Sequence, residues 1–115
     1  MAQKIKFEDK TVFFKTQPVV FKFPIGEVLE RENIVIVRLN IPKDNPTRKN
    51  IFALDYNAKF LWQVQPMKEV EPSLEESRYL AMKDTLNGNI TATDSNGYIF
   101  EINPQDGKIV KFKLY

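Results

Sequence analysis

Short stretches in which apolar and polar residues alternate recur from Lys4 to Leu114, each closed by a turn-forming cluster, and the i, i+3, i+4 spacing of an amphipathic helix is almost absent. A period of two sends successive side chains to opposite faces of a strand, so the pattern confines the chain to antiparallel β-structure with one face of most strands buried. Lys4-Ile5-Lys6-Phe7-Glu8 alternates charged with apolar residues, and Val19, Phe21 and Phe23 share a face opposite Lys22. Ile34-Val35-Ile36-Val37 is β-branched and apolar on both faces, which predicts a central strand covered on two sides. Residues 50–57 and 59–64 read as a hairpin around Tyr56-Asn57-Ala58, with Asn57 expected to take the positive φ of a tight turn. The last third holds four strand candidates, 79–83, 89–94, 98–103 and 108–114, separated by Leu86-Asn87-Gly88, Ser95-Asn96-Gly97 and Pro104-Gln105-Asp106-Gly107.

Two segments break the alternation. Residues 41–49 contain two prolines and an Asn-Pro step, and predict a surface loop made basic by Lys43, Arg48 and Lys49 against Asp44. Residues 65–77 carry Glu69, Glu71, Glu75 and Glu76 against Lys68, and predict a loop with one helical turn, capped by Ser73 with Glu76 at the capping-box position. At 115 residues the chain is ample for one core and too short for two independent ones. The expected fold is therefore all-β and a single domain: a first antiparallel meander over about 4–65, the acidic loop 65–78, and a second meander over about 79–115. The meanders are expected to pack as a small sandwich or a strongly bent sheet, because each has an apolar face it cannot bury alone.

Composition narrows the function. With 43% hydrophobic and 28% charged residues the chain has a folded protein's make-up, and a formal charge of +2 gives no whole-molecule field favouring nucleic acid or an anionic membrane. The absence of Cys and His removes thiolate nucleophiles, disulfides, the common zinc ligand sets and imidazole catalysis. No segment approaches the ~20 apolar residues of a membrane span. The first residues reach Glu8 and Asp9 too soon for a signal peptide, so a cytoplasmic protein is expected. Asp55-x-Asn57 and Asp94-x-Asn96-Gly97 are too sparse in oxygen ligands for calcium and read as turn-capping residues; no metal or cofactor is expected. The carboxylates of residues 69–76 sit in a polar stretch that follows Pro66 and contains Pro72, with no burial to shift them, so acid–base catalysis is not expected of them. Lys4, Lys6, Lys10, Lys15 and Lys22, interleaved with Phe7, Phe13, Phe14, Phe21 and Phe23, have the look of a nucleic-acid surface. They lack an Arg cluster or an RNP-like motif, and lysines on strands commonly protect edges. Trp62 shares a strand face with Phe60 and Val64 and reads as core.

Residues 50–57 and 89–96 repeat at an offset of 39, with five of eight positions identical: Asn50/Asn89, Ile51/Ile90, Ala53/Ala92, Asp55/Asp94 and Asn57/Asn96. Ala58 then pairs with Gly97, and both copies enter an aromatic-aliphatic strand. An offset near 40 with strand-turn-strand content is a signature of propeller blades. The two segments resemble blade hairpins of β-propellers of the pyrroloquinoline-quinone-enzyme-like repeat type, over residues 50–66 and 79–115 and more loosely over 19–41. That resemblance implies hairpin geometry, with Trp62 packed between neighbouring blades, and it implies no chemistry, because no cofactor-binding set is matched. It also implies at most two and a half blades of about 40 residues, too few to close a ring. Size and class suggest a non-enzymatic protein-binding module of a bacterium or phage, such as a toxin-neutralising immunity or inhibitor protein. Its partner, another protein, is expected at Glu69, Glu71, Glu75 and Glu76 or at Lys43, Arg48 and Lys49. The alternative is a lectin-like binder of sugars or small ligands, built by oligomerising two-blade units; a homo-oligomer is expected over a monomer.

Overall fold

The structure, a computed structural model, describes residues 5–114, so Lys4 and the residues before it lie outside the described residues. Three antiparallel sheets follow one another along the chain, each with its strands in chain order. The first contains β1 (Lys6–Glu8), β2 (Thr11–Phe13) and β3 (Pro18–Val20). The second contains β4 (Ile25–Glu30), β5 (Val35–Leu39), β6 (Ile51–Leu54) and β7 (Phe60–Gln63), and the third β8 (Tyr79–Asp84), β9 (Ile90–Asp94), β10 (Tyr98–Ile102) and β11 (Ile109–Leu114).

The all-β fold and its meanders are as the alternation implies, with one difference. The stretch 4–65 divides into two sheets rather than one. The division falls at Phe21-Lys22-Phe23-Pro24, where the Phe21 N–H donates to Lys10 O (2.7 Å) and the Ile25 N–H to Asp9 O (2.7 Å). These bonds pull the start of β4 against the β1–β2 turn, and Pro24 offers no N–H to continue the first ladder.

The second sheet lies between the other two, and its strand β5 is buried along its whole length. Val35, Val37 and Leu39 join Val12, Phe14 and Phe21 in one apolar layer, whereas Ile34 and Ile36 join Tyr79, Met82 and Phe100 in another. Two cores thus share one sheet, which is how a chain of this length builds both.

All four edge strands of the two larger sheets carry a bulge. Gly26 in β4, Leu61 in β7, Leu80 in β8 and Val110 in β11 are each the extra residue in the register. A bulge breaks the regular row of N–H and C=O groups that another chain would pair with. It also explains why Leu61, Leu80 and Val110 remain exposed.

Two local expectations need correction. The helical turn, α1, is Met67–Val70 with Pro66 at its N-cap, not a turn begun by Ser73. The Ser73 hydroxyl instead donates to Glu71 Oε2 (2.9 Å), while Pro66 supplies a φ of −60° suited to entering the helix. In the hairpin of β6 and β7 it is Ala58, not Asn57, that takes positive φ, at 67°. The repeat-related Gly97 stands at 90°.

Candidate functional site

The 39-residue repeat is a repeat of turn chemistry. Asp55 Oδ1 accepts from the backbone N–H of Asn57 (2.9 Å) and Lys59 (3.0 Å), and Asp94 Oδ1 accepts from those of Asn96 (3.1 Å) and Tyr98 (2.7 Å). These carboxylates close their own turns. The copies occupy different places, however: the first joins the third and fourth strands of its sheet, the second joins the second and third.

The second and third sheets are joined by polar contacts, those of Asn50 fully buried and the others nearer the surface. Asn50, fully buried, donates from Nδ2 to Leu39 O (2.7 Å) and Tyr79 O (2.8 Å), and accepts from the Tyr79 N–H (2.9 Å). Its amide acts as a one-residue strand partner to β8. Arg31, in the β4–β5 turn, donates to Asp84 Oδ1 (2.8 Å), Gly88 O (2.8 Å) and Asn89 O (3.2 Å) across the layer. Glu27 pairs with buried Arg38 (2.7 Å) and accepts from the Met82 N–H (3.0 Å). Trp62 donates from Nε1 to Pro104 O (2.9 Å), and its ring lies against Gly107, where a Cβ would collide with it. Trp62 therefore packs between sheets.

The two loops singled out in the sequence leave the same end of the second sheet, since Arg38 pairs with Ile51 and Phe52 with Gln63. Gln63 Nε2 donates to Lys49 O (2.7 Å), tying them at the base. Lys43 and Lys49 are exposed, whereas Arg48 is half-buried and folds onto Asn45 O and Thr47 O of its own loop. On the acidic side, Glu71 accepts from Ser73, Glu76 from the Lys68 N–H (3.0 Å), and Glu69 from Gln65 Nε2 (3.3 Å). Glu75 is exposed and makes no hydrogen bond among the described residues. No ion pair joins the two loops among the described residues.

A second surface is the outer face of the third sheet, which carries the alternating Lys111 and Lys113 of the last strand. Register places Ala81, Thr93, Ile99 and Lys113 in one cross-strand row and Lys83, Thr91, Glu101 and Lys111 in the next. These rows line a hollow of about 740 Å³ together with Leu80. Glu101 accepts from Asn89 Nδ2 (2.6 Å) and Asn87 Nδ2 (3.1 Å) and lies 3.6 Å from Lys111 Nζ. Bonds from Asn89 and then Asn87, with the Lys111 charge behind them, hold its carboxyl below the usual range. The signal was in the sequence as outward positions of four successive strands, but only the register brings Lys83 opposite Lys111.

The chain matches, over residues 2–114, the sequence model of a family described as a domain of unknown function, DUF7957, and it belongs to that family. No curated protein matches it. Among solved structures it is similar to the computationally designed Ika8 protein, at 10% identity and a TM-score of 0.57, over 95% of this chain. The chain spans 35% of the length of that protein. At that identity the likeness concerns the fold alone. Among the described residues no helix is long and apolar enough to cross a membrane.

Proposed function

We propose that this protein is a non-enzymatic, cytoplasmic protein-binding module of the toxin-neutralising kind, and that it receives its partner at the loop end of the second sheet. The observation that carries this reading is the polarised end itself. An acidic and a basic loop leave one sheet end, tied at their base and free of mutual ion pairs among the described residues. Opposite charges fixed side by side on a rigid scaffold orient a partner through electrostatic complementarity. Glu69 and Glu75 project most freely from the acidic loop, and Lys43 and Lys49 from the basic one.

The stacked sheets also fit a reading of the chain as an open, propeller-like fan of the quinone-enzyme repeat type. The inter-sheet packing of Trp62 supports it. The lectin-like alternative, in which copies of the fan associate around a ligand, draws support from the uncovered outer face of the third sheet.

Affinity capture from the source cell, at low and high salt, tests the loop-end reading. Glu69→Lys with Glu75→Lys, and separately Lys43→Glu with Lys49→Glu, should each release a salt-sensitive partner. Equal recovery of that partner by the unaltered protein and both variants would overturn it. A ligand-dependent oligomer in sedimentation would favour the lectin-like alternative.

A further inference from the structure

Three features of the molecule restrict how a second binding surface could work. The four edge strands of the larger sheets are bulged, which opposes recognition by strand addition. Both faces of the second sheet are covered, but the third sheet is covered on one face only. Its open face is hollow, with a volume inside the range of about 300–1,000 Å³ usual for binding sites.

The chemistry of that face is specific. Lys83 stands on the β8 side of the hollow and Lys111 and Lys113 on the β11 side, with Ile99 between them and exposed Leu80 at the β8 bulge next to Ala81. Among the described residues Lys83 and Lys113 have no ion-pair partner, and Lys111 has only Glu101 at 3.6 Å. The Glu101 carboxylate is itself occupied by Asn87 and Asn89. The face therefore shows surplus positive charge on both flanks of an aliphatic and threonine-bearing floor. No aromatic ring lies open on it for stacking nucleobases: Phe112 is half-buried, with its ring stacked on Phe100 in the core.

We infer that the outer face of the third sheet docks an acidic, aliphatic segment of a partner protein, laid across β8 to β11. Carboxylates of that segment pair with Lys83, Lys111 and Lys113, and its apolar side chains cover Leu80 and Ile99. Thr91 and Thr93 offer hydroxyl donors to the carbonyls of the segment. This inference rests on the protein-binding reading but uses a surface separate from the loop end, so either can fail alone.

The test is a titration of the isotopically labelled full chain, followed by amide chemical shifts, with a capped peptide about eight residues long in which Glu-Glu and Val-Val pairs alternate, so that an extended chain turns both residue types toward the sheet and is long enough to cross four strands. The expected result is saturable shifts confined to residues of β8 to β11. Binding should weaken about tenfold or more in the combined Lys83→Glu, Lys111→Glu, Lys113→Glu variant and persist when the same lysines become Arg. The same peptide with Lys in place of Glu should give no shifts, and a single-stranded oligothymidine should bind more weakly. The inference is overturned by an absence of shifts, by shifts centred on residues 41–49 or 65–78, or by tighter binding of the oligothymidine. Self-association of the chain through this face, seen as the same shifts on raising its own concentration, would also overturn it. A lost partner in the loop variants alongside a silent outer face would defeat this inference and leave the loop-end reading standing.

Discussion

The second sheet is covered on both sides, and its two covers are attached by different means. Toward the first sheet the contact is an apolar layer built on Val12, Phe14 and Phe21 against Val35, Val37 and Leu54, with Phe60 meeting both Phe21 and Phe52 edge-on. Its cross-layer polar links are single backbone donors, the Ile5 N–H on Glu30 Oε2 (2.7 Å) and the Ile25 N–H on Asp9 O (2.7 Å), with no buried side-chain amide in that layer among the described residues. Toward the third sheet an apolar layer is combined with a fully buried side-chain amide, Asn50, and with bonds from Arg31, Glu27 and Trp62 around its rim. Apolar contact is non-directional, whereas a buried amide with three partners tolerates one alignment of the two sheets. The second and third sheets are thus locked as one rigid platform, which carries both proposed surfaces, and the first sheet is a cover over its back.

The largest effect should come from Asn50→Ala. Truncation leaves the Tyr79 N–H and C=O and the Leu39 C=O without a buried partner, at a cost of roughly 3 kcal/mol or more. Urea denaturation should report it as a lower midpoint for the whole molecule. Val12→Ala, the matching cut in the first layer, should cost about 2 kcal/mol through its cavity and loosen the first sheet before the others. If the two variants lose stability in the opposite order, the contrast between the layers is wrong.

Gly107→Ala comes next. Gly107 holds a φ of 75° and lies under the Trp62 ring, so a methyl group there meets both backbone strain and a collision. About 2 kcal/mol should be lost, and the emission of the only tryptophan should shift to the red as it is displaced.

A smaller effect, of opposite sign, is expected in the repeat. Ala58 sits at φ 67° where its counterpart Gly97 sits at 90°, so Ala58→Gly should raise stability by up to about 1 kcal/mol, and Gly97→Ala should lower it by a similar amount. Thermal unfolding of the two variants reads both signs.

The pH dependence should follow the same asymmetry. Burial, then the nearby charges of Asp94 and Glu76, push the Tyr79 phenol well above its ordinary value near 10. Above about pH 10 the unfolded chain loses a proton that the folded chain keeps, so stability should fall there, and Tyr79→Phe should flatten that alkaline limb. Glu101 acts at the other extreme. Its lowered folded pKa gives stability present above the unfolded carboxyl range and lost as the pH falls through the folded value, so Glu101→Gln should trim the acid limb only slightly.

Much of this architecture is legible in the sequence. The β-branched run at Ile34–Val37 could only be a strand covered twice, and the Asp-x-Asn turns carried their own hydrogen-bonding logic. The position of positive φ was not legible, because Asn57 and Ala58 compete and the Asp55 cap decides for Ala58 by binding the amides on either side of it. Nor was the division of the first meander, which depends on where Lys10 O and Asp9 O lie in space. The locking residues were silent for the same reason. Asn50 reads as a turn or strand-end residue, and only folding brings it to Tyr79, far along the chain. Of the candidate site, the charge of each loop was written in sequence and their common end was not, since it follows from strand register.

Native-state hydrogen exchange tests the platform most directly. The amides of β5, β6, β9 and β10 should exchange only through global opening, with a shared free energy, while those of β2 open at a distinctly lower one. Asn50→Ala should lower the protection of the second and third sheets together. If the first sheet were as protected as the other two, or if the third sheet opened alone while the first two stayed closed, the locked platform would be contradicted.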